Sequence, residues 1–197
     1  MSVTGPRAEA SRRIRDAIVA ATVRIVAREG VAAVTHRRVA AEAEVALSST
    51  TWHFATKADI LEAALQGTAR REVDRIASIA DRLGDTDFDA SAWAEELADW
   101  LVEQLTVDRE IAIALYRLQV ELLGSDGALS VHREWGEGLH AVGEHLLEHS
   151  STLTPELDVR LVVAALDGLR MSVLNSGEQD LRWLRPAVRR QLQALLG

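Results

Sequence analysis

The 197-residue sequence contains no cysteine, which removes disulfides, thiolate zinc sites and cysteine nucleophiles and fits a reducing compartment. Apolar runs are short. The longest, such as Val162 to Leu166, fall far below the roughly 18 residues a membrane span needs. Met1 to Arg15 is polar and carries Arg7, Arg12, Arg13 and Arg15 with no apolar segment behind them, so no secretory leader is expected. The chain therefore reads as soluble and cytoplasmic, with no membrane partner. No stretch alternates apolar and polar residues with period two, so no sheet is expected. Gly-x-Ser-x-Gly elbows, phosphate-binding loops and dinucleotide fingerprints are missing as well, which leaves serine hydrolysis and nucleotide chemistry without support. Internal repeats and low-complexity tracts are likewise lacking.

Hydrophobic residues make up 48% and charged residues 26%, an ordinary globular composition for a small head joined to a larger body. The net charge of −8 is unevenly spread. Residues 1–60 hold nine Lys or Arg against six Asp or Glu, whereas residues 61–197 hold 13 against 24. A basic head and an acidic body would orient the molecule in the field of a polyanion.

The apolar periodicity is helical nearly throughout. Ile14, Ala17, Ile18, Ala21 and Ile25 share one helical face, and Gly30 stops the run, giving a first helix near 11–29. Thr35 can cap a second helix through Ala43. After a tight turn at Glu44 and Val45, a third short helix covers Leu47 to His53. Thr56 and Asp59 have capping-box spacing and open a long fourth helix to about Leu83. The acidic, turn-rich stretch from Gly84 to Asp89 forms a loop. Further helices are expected near 90–105, 109–123, 128–149, 155–175 and 186–196, with Pro155 and Pro186 in first turns, where a missing amide hydrogen costs nothing. The fold class is thus all-α, with about nine helices: a three-helix head over 1–55 and a helical body over 56–197.

Two short helices around a tight turn, with small Ala40 where they must cross and Val45 beneath the turn, have helix-turn-helix spacing. The run Val34-Thr35-His36-Arg37-Arg38-Val39-Ala40, followed by Ala43 to Lys57 with its Trp52-His53-Phe54 aromatic end, resembles the N-terminal domain of the TetR family of bacterial repressors. The resemblance covers about residues 11–65. It implies a repressor that binds a palindromic operator in double-stranded DNA as a homodimer and is released by a small-molecule effector, with neither a cofactor nor a resident metal. Matching positions imply phosphate contacts for Thr35, His53 and Lys57, with His36 beside them. Arg37 has the planar fork that pairs with guanine O6 and N7. Ala46, Leu47, Ser48, Ser49 and Thr51 carry short side chains suited to thymine methyls or hydroxyl hydrogen bonds. Trp52 is either a core anchor or a groove contact, and Arg38 is expected to be solvated. Two positions depart from the family pattern. Glu44 stands where glycine is usual, and Thr50-Thr51 replaces a Leu-Tyr pair.

In the body, the segment 155–175 is apolar on all sides and must be covered twice, by a partner subunit or by its own chain. Ala165, Gly168 and Ser172 would let a partner helix approach, with Val188 and Leu192 at the same interface. Trp93, Trp100, Tyr116, Trp135 and Met171 are candidates to line an apolar pocket, or else ordinary core. Asp167, a charge in the most apolar helix, either orients a ligand or bonds across an interface. A regulator that has lost its ligand response is one alternative. From another class comes a helical metal-dependent hydrolase built on His145, Glu148 and His149, which match an inverted zinc-protease pattern. A non-catalytic metal site among His140, Glu144, His145 and His149, or a plain solvated face, fits the same residues.

Overall fold

The computed structural model describes residues 5–83, 89–147 and 155–196. Among them the chain is all-helical, with nine α-helices: α1 (Pro6–Glu29), α2 (His36–Glu42), α3 (Leu47–His53), α4 (Lys57–Leu83), α5 (Ala90–Thr106), α6 (Arg109–Glu121), α7 (Asp126–Leu147), α8 (Pro155–Ser176) and α9 (Leu184–Leu196). One 3₁₀ turn, Val31–Ala33, follows α1. No helix among the described residues is long and apolar enough to cross a membrane.

Helix boundaries follow local chemistry. α1 begins earlier than its apolar face, because Pro6 sits in the first turn and residues 6–9 add only exposed side chains. α2 is capped by Thr35, whose hydroxyl accepts the Arg38 amide at 3.1 Å. The capping box at α4 is reciprocal: the Thr56 amide donates to the Asp59 carboxylate at 2.8 Å, and the Asp59 amide to the Thr56 hydroxyl at 3.2 Å. α6 stops at Glu121, and Gly124 then takes a left-handed φ of 82°. Ser125 accepts the Ala128 amide at 3.1 Å and starts α7 two residues before its expected position.

The chain forms two compact units. The first comprises residues up to Ala69 together with Glu110–Val131, that is α1 to α3, the opening turns of α4, α6 and the start of α7. Its core holds Ile18, Ala21, Ile25, Val26, Val34, Val39, Phe54, Ile60 and Leu118, each at most 4% exposed. Burial contributes roughly 1.5–3 kcal/mol for each of the Val, Ile, Leu and Phe side chains among them. α6 is fastened to the end of α1. The Arg117 guanidinium donates to the Val26 and Ala27 carbonyls at 2.7 and 2.8 Å, placing positive charge at the negative end of the helix, where the Val26 carbonyl also accepts the Gly30 amide.

The second unit comprises Arg70–Arg109 and the residues from His132 onward. Its core is made by Ile79, Trp93, Leu97, Trp100, Leu101, Leu105, Leu166, Val173, Leu184, Val188 and Leu192. α5 packs chiefly on α9 and α8. Gly143 lets α7 approach α8 closely, since a Cβ there would stand 2.2 Å from a Val159 methyl. α8 is covered on one side by its own chain through Leu166, Arg170 and Val173. On the other side Leu157 and Leu161 remain 53% and 42% exposed, and Ala164, Gly168 and Ser172 are exposed with them.

The turn between α2 and α3 contains the one non-glycine residue with positive φ among the described residues, Glu44 at 55°. A left-handed conformation costs a residue bearing Cβ roughly 1–2 kcal/mol. Glu44→Gly should accordingly raise stability by about 1 kcal/mol in urea unfolding, and a lower midpoint would show that the glutamate side chain offsets its own backbone strain.

Candidate nucleic-acid interface and effector site

α3 is seven residues long and two-faced. Thr50 is fully buried, its hydroxyl donating to the Leu47 carbonyl at 2.8 Å. Leu47 (50% exposed), Ser48, Thr51 and Trp52 (75% exposed) form an open row on the opposite side, continued by exposed Ala46. Trp52 is thereby excluded as a core anchor; the neighbouring Phe54, 4% exposed, fills that role. Ser49 and His53 are half-buried at the edges of the row. Burial and the nearby Arg15 charge hold His53 below its ordinary pKa, so its ring is neutral at neutral pH. The Trp52 ring meets it edge-on at 4.6 Å, and Arg15 lies over the Phe54 ring at 5.3 Å.

The remaining head residues divide by role. Thr35 serves as the cap of α2 while staying exposed. The His36 Nε2 lies 3.0 Å from the Phe54 carbonyl and donates to it when protonated, which ties the start of α2 to the end of α3. Arg37 is exposed and Lys57 half-exposed, and neither enters an ion pair among the described residues. Arg38 is not a solvated side chain as expected: it bridges Glu29 at 2.6 Å and Glu42 at 3.1 Å. Glu42 also accepts Arg24 Nε at 2.9 Å, so one carboxylate joins α1 to both ends of the α2 charge set. Sequence separations of up to 18 residues hid this node.

In the body, Trp93 and Trp100 are core residues, 4% and 6% exposed. Trp135 and Met171 are half-buried, and the Trp135 indole N–H is buried without a hydrogen-bond partner. Tyr116, half-buried on α6, belongs to the other compact unit. Asp167 pairs with Arg170 one turn along α8, at 2.7 Å. That guanidinium also bonds Glu72 of α4 and Gln104 of α5, and lies 5.9 Å over the Trp100 ring. Arg170 and Glu72 are 3% and 4% exposed. Removing one partner of so buried a pair costs about 3–5 kcal/mol, because the other charge is left stranded. Sequence reasoning singled out Asp167 but missed Glu72, Gln104 and Arg170; a second charge three residues beyond Asp167 was the available signal.

The interface candidates separate too. Gly168 and Ser172 lie on the open side of α8, with Ala165 half-buried beside them. Val188 and Leu192 are corrected: they are 0% and 2% exposed, packed into their own chain's core against α5 and α8, with no surface left for a partner. Glu148 and His149 lie outside the described residues, as do the side chains of His140, Glu144 and His145, and among the described ones no group of three or more His, Cys, Asp or Glu side chains is placed to hold a metal.

A two-helix turn presenting an exposed helix, followed by a capped long helix and an all-helical body, defines a helix-turn-helix DNA-binding regulator. Comparison with known proteins names the family. Residues 18–64 match the family described as bacterial regulatory proteins, tetR family, and residues 88–197 match the tetracyclin repressor-like C-terminal domain. The chain is similar to the multidrug binding protein EbrR complexed with ethidium, at 33% identity over 90% of this chain and 98% of that one, with a TM-score of 0.68. EbrR structures with malachite green and with proflavin match similarly, at 31% and 32% identity. A TetR family member from Streptomyces coelicolor A3 shares 31% identity, covering 90% of this chain and 97% of its own, with a TM-score of 0.69. A transcriptional regulator from Rhodococcus sp. Rha1, 20% identical over 92% and 95% of the two chains with a TM-score of 0.77, shares the fold. Comparison with curated proteins gives no match. The chain belongs to the TetR family of bacterial regulatory proteins. It is a DNA-binding regulator with a ligand-binding C-terminal domain and not an enzyme, which overturns the hydrolase alternative built on His145, Glu148 and His149.

Hydrogen bonds from Arg24 and then Arg38 hold the Glu42 carboxyl below its ordinary pKa. Such a carboxylate contributes stability that is present above its unfolded value and lost as pH falls through its folded value. Acid titration of unfolding should therefore show a steeper loss in the native chain than in Glu42→Gln. Parallel profiles would mean that water screens the node completely.

Proposed function

We propose that this chain is a cytoplasmic, homodimeric repressor that binds a palindromic operator through α3 and releases it when a small organic molecule occupies the body. The observation that carries the reading is the open row Ala46, Leu47, Ser48, Thr51 and Trp52, which leaves a short, uncharged helix face free to enter a major groove. Its methyl and hydroxyl groups suit thymine methyls and base-edge hydrogen bonds. Arg37 and Lys57 flank it as uncommitted cations, Arg37 reading a base and Lys57, with Thr35, His36, Ser49 and His53 nearby, meeting the backbone. Residues 1–55 form the helix-turn-helix part, to which Lys57 adds a backbone contact from the first turn of α4, and residues 56–197 form the part that dimerises and takes the effector.

The open side of α8 supports the dimer, since Leu157, Leu161, Ala164, Gly168 and Ser172 form an apolar, small-residue strip that a twin helix can cover. Each dimer then carries two recognition helices about 34–36 Å apart. The effector class follows the relatives: three EbrR complexes hold ethidium, malachite green and proflavin, all organic cations. α4, continuous from Lys57 to Leu83 and contributing to both compact units, is the element through which occupancy would bias the heads. By linkage, operator DNA weakens effector binding by the same factor, on the order of 5-fold to 150-fold.

The operator is obtained by sequencing the genomic fragments that the purified chain retains. On that operator, Lys57→Ala should weaken binding about equally on all sequences and lower the salt slope by about one, whereas Arg37→Ala should cost roughly 1–3 kcal/mol and relax preference at one position. Unaltered affinity and slope in Lys57→Ala would contradict the backbone placement of α4. Sedimentation should give a dimer at micromolar concentration, and a stable monomer there would sink the symmetric arrangement.

A further inference from the structure

The body contains a buried acceptor with nothing to accept. Glu72 is 4% exposed at its side chain; its Oε1 takes the Arg170 guanidinium and, at 3.4 Å, the Gln104 amide, while its Oε2 is buried with no hydrogen-bond partner. Buried carboxylate oxygens are normally satisfied, and leaving one bare forfeits the hydration of a charged group with nothing in return. The cluster joins one guanidinium to two carboxylates, Glu72 and Asp167. It reaches from Asp167, 41% exposed, inward to Glu72, with residues drawn from α4, α5 and α8.

We infer that the Glu72 carboxylate is the recognition group for the effector, and that it takes an organic cation bearing an N–H donor. This rests on the reading of the body as an effector-binding domain. The chemistry selects the class. Oε2 needs a donor, and a donor that also carries positive charge forms the stronger, charge-assisted bond in a site already holding a second carboxylate. Oε1 stays with Arg170, so the pair that joins α4 to α8 persists while the ligand occupies the other oxygen. A neutral molecule of the same shape gains burial but not that bond. An anion would meet two carboxylates and is rejected. Sequence alone pointed to Asp167; the geometry places the buried end of the site at Glu72, on the same helix whose first turn carries Lys57.

The test uses the full chain without DNA and two flat tricyclic probes, proflavin, a cation with N–H groups, and acridine, the same ring system uncharged at neutral pH. Binding is followed by dye fluorescence and calorimetry. Proflavin should saturate the native chain, and Glu72→Gln should weaken it by about tenfold or more while changing acridine by less than about twofold. Because Glu72→Gln disturbs a buried pair, circular dichroism is recorded alongside. Asp167→Asn provides the second variant: it leaves Glu72 with Arg170 intact, removes one negative charge, and should weaken proflavin several-fold with acridine unaffected. Proflavin that fails to saturate, or that binds both variants as tightly as the native chain, overturns the inference. Operator affinity measured without dye reports separately on the regulator reading. A chain that binds its operator but holds proflavin indifferently to Glu72 loses only this site, whereas a chain that binds proflavin through Glu72 yet retains no DNA fragment keeps the site and loses the repressor.

Discussion

The direction in which α3 points depends on four residues of turn, and the turn is held by two backbone hydrogen bonds. The Val45 amide donates to the Ala40 carbonyl at 3.0 Å and the Glu44 amide to the Ala41 carbonyl at 3.4 Å. Both require the chain to double back within a single residue, which places Glu44 in the left-handed region. Strain of that kind persists only where the surroundings over-determine it. Here they do so through Val39 and Thr50, both fully buried, and through Ala40, whose small side chain is 5% exposed at the crossing. The helix face offered to a groove is thus fixed by packing behind it, and its own residues are free to be chosen for what they touch.

Charge tells a related story about the head. Its excess of arginine is partly consumed within the fold, with Arg24 and Arg38 held by Glu29 and Glu42, and Arg28 by Glu110. Those arginines act as struts. What is left for a phosphate backbone is a smaller set, Arg37 and Lys57 among them, and Lys57 is the chain's single lysine. The positive charge of the head left unpaired is therefore smaller than the composition implies.

Much of the architecture was legible because it is local. Periodicities of three and four residues gave the helices, Thr56 with Asp59 gave the start of α4, and the turn at Glu44 was marked by its place between two short helices. The exposed row on α3 was legible as well, since Ala46 to Thr51 has no charge and no bulky aliphatic run. Whatever depends on residues far apart was not. Arg38 reads as a surface cation until Glu29 and Glu42 are beside it, and Glu72 sits in a stretch of charges that looks solvated, though its partner Arg170 is 98 residues away. Val188 and Leu192 were misplaced for another reason. An amphipathic helix shows the same stripe whether it faces a twin or its own core, and in α9 the stripe faces α5 and α8.

Arg117 makes the head discontinuous in the chain. By binding the Val26 and Ala27 carbonyls, and with Arg28 meeting Glu110 at 3.0 Å, α6 completes a module whose first stretch of chain ends at Ala69, about forty residues upstream. Recombination between relatives that exchanges only the first three helices would pair an α1 from one parent with an α6 from another. The inherited unit is then not the helix-turn-helix segment alone but that segment plus a distant helix. Such an exchange keeps the Arg117 bonds, which go to backbone carbonyls that any residue supplies, but it puts the Arg28–Glu110 pair at the mercy of two parents.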